Sequence, residues 1–403
     1  MGSIKKENKL EHRAVFVPGL LIALALSLLV ALLAPLPATG EIIASERGFA
    51  IDLPAGFSYA GGDHKSRFSF VDPNNAMEFD IFVYEPGRFA SAQAIADNTM
   101  GKLGSTGQRE DFTYEDRHAV FMELLFARDG VKEQGYGIAI EGRPAHGAAA
   151  AEPSLAILSF TAASTFKAYS DFILSCLDSF SIDRMALRSP GPVSQYVSAF
   201  PAKHDASKVI TFNGNKLTLP WSAEEATLVN ETDTREYKVL AVYANNDQLW
   251  QAAWARFYRM VWRESSRRLD RLAAALDPLL PDNPTDAARM LLQWTQGWTY
   301  TRDLKGIDFV DPLTASMEER GDCDSRAVVL DILLERRGIP SILMVSRDYS
   351  HALIGIDVPG GGQRFDFEGK KWLVGETTAH VGLGMIAASQ ADWSKWMGIK
   401  LGE

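Results

Sequence analysis

Residues 321–346 read GDCDSRAVVLDILLERRGIPSILMVS, and the rest of the chain takes its meaning from them. Gly321 allows a tight turn, and Cys323 then falls in the first turn of a predicted helix. Ala327, Val328, Leu330, Ile332, Leu333 and Leu334 supply the helix's buried side. Gly338 ends it, and Ile339-Pro340 leads into the strand SILMVS. A thiol at this position sees the positive end of the helix dipole and unpaired N–H groups, which favour thiolate. Asp322 and Asp324 oppose that effect, so strong activation needs a histidine partner. Simple packing of Cys323 is the bland alternative, and its polar neighbours argue against it.

Downstream, HALIGID opens a strand at His351, and WLVGETT carries Glu376 at the end of another. Nucleophile, base and orienting acid follow in the order a thiol site needs. Of the seven histidines, His351 alone begins an apolar strand shortly after the cysteine helix. His380, four residues past Glu376, is the runner-up. For the acid, Asp357 shares a strand with His351 but lies roughly 20 Å along it, at about 3.3 Å per residue. Asp366 and Glu368 belong to the hairpin RFDFEGKKW. Glu376 reaches His351 if the two strands pair antiparallel; otherwise it is a solvated strand-end acid.

Upstream, KVITFNGNKLTLP and REYKVLAVYA have strand character, with Asn-Gly as a turn. From Asp247 the pattern turns helical, with Trp250, Trp254, Phe257, Val261, Leu269, Leu272 and Leu276 at core spacing. A carbohydrate platform is the functional alternative for that aromatic density. A second helix starts at Pro284-Thr285. GGG at 360–362 reads as a hairpin turn rather than a phosphate cradle.

Residues 46–183 read as a separate α/β domain. GFAIDLP, SRFSFVDP, AMEFDIFVYEPG, RHAVFMELLFARDG, EQGYGIAIEG and SLAILSFTA read as strands, with one helix after Ser91 and another over FKAYSDFILSCLDSF. Residues 184–205 read as the linker to a second domain spanning 206–403. Residues 1–40 combine Lys5, Lys6, Lys9 and Arg13, an apolar run from Ala14 to Leu36, and a small-residue exit. That describes a cleaved secretory signal or an N-terminal membrane anchor, and either puts the bulk of the chain outside the cytoplasm.

The 403 residues carry a formal net charge of -10, with no basic stripe to neutralise phosphates, so nucleic acid is excluded as a partner. The two cysteines, Cys176 in an apolar run and Cys323 in a charged one, form no C-x-x-C pair, and their settings argue against a disulfide. No phosphate-loop or dinucleotide motif occurs, nor a carboxylate-dense calcium loop, so no cofactor and no metal are expected.

The GDC helix, RRGIPSILMVS, HALIGID, WLVGETT and the preceding AARMLLQWTQGWTYTRD together resemble the transglutaminase-like (papain-like cysteine) core over residues 285–380, and more loosely from 206. The order of elements in 46–183, with its opening GFAIDLPAGF and final LDSFSI, resembles the PsbP-like α/β sandwich. The resemblance implies an α+β chain: a non-catalytic docking or binding module, then a core with a Cys-bearing helix packed on an antiparallel sheet. It implies Cys323 as nucleophile, His351 as base and Glu376 as third member, where the family more usually has Asp. The oxyanion donor is open among Gln296, Trp298 and Tyr300, beside the backbone N–H of Cys323. The expected function is an exported thiol hydrolase or acyltransferase acting on peptide-like amides through an acyl-thioester, with a peptide or protein as substrate or partner. A catalytically idle scaffold for extracytoplasmic binding or assembly is the alternative.

Overall fold

The computed structural model describes residues 42–147, 150–302 and 309–402, so the apolar run read as signal or anchor lies outside the described residues. Among the described residues no helix is long and apolar enough to cross a membrane. The chain is a mixed α/β protein built on two antiparallel sheets, one of seven strands and one of five.

The first sheet contains β1 (Ser58–Gly62), β2 (Arg67–Val71), β3 (Met77–Tyr84), β4 (Arg109–Tyr114), β5 (Arg117–Arg128), β6 (Val131–Ile140) and β7 (Ser154–Ala162). Its order is β1-β2-β3-β7-β6-β5-β4. Helix α1 (Ala92–Leu103) covers one face and α2 (Phe166–Asp178) the other. A central strand covered on both faces loses its polar alternation, and Ser154 through Thr161 of β7 are all buried. Helix α1 begins at Ser91, whose hydroxyl accepts from the Ala94 N–H at 3.2 Å. Ser91→Ala is expected to cost about 1 kcal/mol of stability, measurable by urea unfolding.

Two departures from the sequence reading occur here. GFAIDLP gives only a two-residue strand, Ala50–Ile51, paired with Ile43–Ala44 and bridged to Ser181. Asp52 turns instead toward the second half, where its carboxylate accepts two bonds from Arg259, each 2.8 Å. The stretch 184–205 is packed rather than free. It contains the short helix α3 (Pro192–Val197), whose Val193 and Ser194 N–H groups donate to the buried Asp178 carboxylate at 2.9 and 3.0 Å.

The second half opens with the hairpin β8 (Ala206–Phe212) and β9 (Asn215–Trp221) around Asn213-Gly214, both at positive φ as the tight turn requires. REYKVLA, read as a strand, lies in helix α4 (Ala223–Ala241), capped by Ser222. Its buried face is Glu225, Leu228, Val229, Thr232, Asp233, Arg235, Glu236 and Val239. The helical period is present, but polar residues carry much of it, so a count of apolar residues misses it. Helix α5 (Trp250–Ser266), α6 (Asp270–Leu276), α7 (Pro284–Gln296) and α8 (Pro312–Glu318) follow.

Helix α9 (Cys323–Arg336) is buried from Ser325 to Leu334 on all sides, between the sheet and the surrounding helices. The sheet contains β10 (Ser341–Ser346), β11 (His351–Ile356), β12 (Arg364–Phe367), β13 (Lys370–Gly375) and β14 (Met397–Ile399), in the order β12-β13-β11-β10-β14. Residues 360–362 therefore form no hairpin turn: β11 and β12, which they connect, are separated by β13.

The two halves meet across buried charge. Arg256 donates to the Asp52 carbonyl (2.6 Å), Glu236 (2.8 Å) and the Ser175 hydroxyl (2.8 Å). Arg263 donates to the carbonyls of Ser189, Asp178 and Phe180 at 2.9, 2.8 and 2.7 Å. The charged run RESSRR, a gap in the apolar stripe of the sequence, sits largely in this contact.

Candidate active site

Cys323 is the first residue of α9. The cap before it is Asp322, whose carboxylate accepts from the Ser325 N–H (2.9 Å) and hydroxyl (2.8 Å). Gly321 takes φ +155°, and a Cβ there would meet Ser325 Cβ at 2.9 Å, so the approach to the helix needs glycine.

His351 opens β11, and Glu376 directly follows β13. The strands pair antiparallel with Ile354 opposite Gly375, which carries Glu376 toward the start of β11. His351 Nε2 and Glu376 Oε2 are 2.8 Å apart. Glu376 Oε1 also accepts from the Thr378 N–H (2.7 Å) and hydroxyl (2.6 Å). Burial pushes the Glu376 carboxyl up, but the bond to His351, its charge and the Thr378 bonds outweigh that and hold it below its ordinary value. With Nε2 turned to the carboxylate, Nδ1 is the nitrogen available to the thiol.

The Ala352 N–H faces the Cys323 thiol, bringing the start of α9 to the start of β11. The thiol donates to Asp324 Oδ1 at 3.4 Å, and Asp324 Oδ2 accepts from the Tyr258 hydroxyl at 2.9 Å. Burial, then the charges of Asp324 and Asp322, push the thiol well above its ordinary value, against the Ala352 N–H. Burial also raises Asp324, opposed by the Tyr258 and Cys323 bonds and by the charges of His351 and Arg302. Sequence reading took Asp324 as an opposing charge only. Its role as the thiol's acceptor depends on Tyr258, 66 positions upstream, and no local pattern signals that pairing.

Arg326, 1% exposed, was also missed. It donates to the carbonyls of Gly321 (3.1 Å), Thr295 (3.1 Å), Trp298 (2.9 Å) and Thr377 (3.2 Å), tying the Cys323 turn to the segment that carries Glu376. Arg326→Met is expected to destabilise by about 3 kcal/mol, because it leaves several buried carbonyls unpaired. Thermal unfolding would measure it.

The alternatives separate. His380 is exposed. Asp357 pairs with Lys370, Glu368 pairs with Lys400, and Asp366 is exposed on β12. Gln296 uses its amide to hold the Glu376 and Val381 carbonyls at 2.8 and 2.9 Å, so it is committed to the backbone rather than to an oxyanion. The Trp298 indole N–H is buried without a hydrogen-bond partner among the described residues. Tyr300 is 54% exposed, and its hydroxyl is raised by burial and then by the charges of Cys323 and Asp322, which places it in the field of the site. Cys176 and Cys323 are both free thiols. Among the described residues no cluster of His, Cys, Asp and Glu is arranged to hold a metal.

No family model and no curated protein matches the chain. Several solved structures are similar to it, three of which follow. The cyanobacterial PsbP (CyanoP) of Synechocystis sp. PCC 6803 is 11% identical, over 35% of this chain and 91% of that one, with a TM-score of 0.27. LpqN of Mycobacterium tuberculosis, described as involved in cell envelope biogenesis, is 11% identical over 37% and 88%, with a TM-score of 0.25. A crystal structure from Bacteroides thetaiotaomicron is 8% identical over 58% and 80%, also at 0.25. Likenesses this distant leave the chemistry to be argued from the site's own geometry.

Proposed function

We propose that this chain is an exported transglutaminase-like protein with a PsbP-like N-terminal half, a thiol-dependent hydrolase or acyltransferase on peptide-like amides. The observation that carries the reading is the 2.8 Å His351–Glu376 pair at the strand end beside a helix-initial cysteine. In this scheme His351 takes the Cys323 proton, the thiolate attacks the amide carbonyl, and the protonated imidazole releases the amine. Helix-terminal N–H groups, with the Tyr300 hydroxyl, would hold the oxyanion. Tyr300→Phe is expected to lower kcat about a hundredfold with KM little changed. Steady-state kinetics on a chromogenic peptide amide reads this directly, and an unchanged kcat would remove Tyr300 from the scheme.

One observation favours a second reading, the idle scaffold. The resting thiol is pushed up and bonded to Asp324 rather than to His351. A peptide bearing a thiol-reactive amide mimic separates the two. An active site labels at Cys323 in a His351-dependent way, whereas a scaffold labels no faster than a free thiol of similar exposure. Export rests on the basic start and apolar run of residues 1–40, and detection of the full chain in the cytoplasm would refute it.

A further inference from the structure

A cleft of about 310 Å³ runs along α4 and α5, lined by neither Cys323 nor His351, so it is a site beside the thiol and not part of it. Its walls are rings set edge to face. Trp250 meets Trp254 at 86°, Trp254 meets Tyr258 at 88°, and Tyr258 meets Phe257 at 65°. Planes at such angles close the corners of a box. Among the described residues that line the cleft, only Asp324 and Arg347 are charged. Arg347 is exposed and lies at the mouth, its guanidinium 5.7 Å from the centre of the Trp250 ring, with no carboxylate partner among the described residues. Asp324 is half-buried and lies further in. The charges of His351 and Arg302 also reach it, but neither residue lines the cleft.

The polar atoms of the cleft narrow what it can hold. Each Asp324 oxygen already accepts a bond, Oδ1 from the thiol at 3.4 Å and Oδ2 from the Tyr258 hydroxyl at 2.9 Å. The Tyr243 hydroxyl donates away from the cleft, to the Ala55 carbonyl at 2.8 Å. A primary ammonium brings three N–H donors, and walls of this kind leave them unpaired at a cost. Sugar hydroxyls meet the same lack of partners. A quaternary ammonium has no N–H to satisfy, and ring faces attract it. Asp324 then acts on it by charge alone.

We propose that this cleft binds a carboxylate betaine, its trimethylammonium in the ring box near Asp324 and its carboxylate on Arg347. One guanidinium matches one carboxylate in charge and in two parallel bonds. A phosphate brings up to two charges, more than the cleft's single cation balances. The volume, at the small end of ligand pockets of about 300 to 1,000 Å³, suits so compact a ligand. A quaternary nitrogen cannot be acylated, so the betaine is a bound ligand and not a substrate of the thiol. The site stands whether or not Cys323 turns over.

Titration calorimetry on the full-length protein tests this with three probes of one length: 4-(trimethylammonio)butanoate, 4-aminobutanoate and 5,5-dimethylhexanoate. The last replaces the quaternary nitrogen by carbon and so keeps the shape without the charge. The betaine is expected to bind about tenfold or more tighter than either of the others. Arg347→Gln is expected to weaken it about tenfold, the loss of one charge-assisted contact, and Trp254→Leu by about as much, the loss of one ring face. Equal binding of the betaine and its carbon analogue would make the cleft merely apolar and overturns the proposal. Equal binding of 4-aminobutanoate, no binding at millimolar betaine, or unchanged affinity in Arg347→Gln or in folded Trp254→Leu protein overturns it as well. The probe series needs no variant and Arg347 is exposed, so the test holds even if Trp254→Leu fails to fold.

Discussion

Cys323→Ala is expected to abolish turnover and site-directed labelling, and His351→Ala to lower kcat by on the order of 10⁶, as losing either half of a nucleophile–base pair does. Glu376→Gln should cost on the order of 10⁴, because an amide beside Nε2 permits the wrong tautomer while the ring stays in place. Circular dichroism should show all three folded, since none removes an anchor of the scaffold. The free thiol gives an independent readout. Burial, Asp324 and Asp322 all raise it, so in the resting protein iodoacetamide should react slowly at neutral pH and faster as pH rises through the alkaline range. Asp324→Asn removes a negative charge that disfavours thiolate. The thiol should then titrate lower, and alkylation at pH 7 should speed up. A rate unchanged by Asp324→Asn would show that Asp324 does not govern the thiol. Full labelling of Cys323→Ala protein would end the assignment of the nucleophile.

The order of this site was legible because each member sits at an element boundary that local chemistry marks. Gly321 and Asp322 start a helix, His351 starts an apolar strand, and Glu376 ends one. What the sequence could not supply was the third dimension around the sulfur. Asp324 meets Tyr258, and Arg326 gathers four carbonyls from three separate segments, through contacts 5 to 66 positions apart that leave no periodic trace. The N-terminal sheet was largely readable from alternation, whereas β1 and β4, with their exposed and polar faces, were not. α4 was misread for the opposite reason: its buried face is charged.

That charge links the halves; within the second half, pH tests a different buried carboxyl, Asp331 on α9. Burial pushes Asp331 up to about 7, from 3.8. Between those values the native protein holds a proton that the unfolded chain has lost, so stability falls as pH rises from about 4 to about 7. Asp331→Asn should flatten that slope in urea melts across the window. A slope that survives the substitution would assign it elsewhere, Asp311 at about 6 being the next candidate.

Arg256→Met should destabilise the whole of residues 42–402 by about 3–5 kcal/mol, the cost of stranding a buried charge without its partner. Arg256 is 2% exposed and binds three groups: the Asp52 carbonyl and Ser175 from the first half, and Glu236 from the second. Removing it leaves Glu236 buried with only Arg235 and the Ser175 hydroxyl as partners. A double variant, Arg256→Met with Glu236→Leu, should recover part of the loss, because a buried ion pair replaced whole by apolar groups is often neutral or better. The cooperativity prediction is sharper than the magnitude. All nine tryptophans lie from Trp221 onward, so their fluorescence reports only the second half, whereas circular dichroism reports both sheets. If buried arginines weld the halves, the two signals should trace one transition in wild-type protein. In Arg256→Met they should begin to separate. Separate transitions already in the wild type would mean that the contact, however buried, does not couple the halves. The first half would then be a module carried beside the thiol site rather than one that supports it.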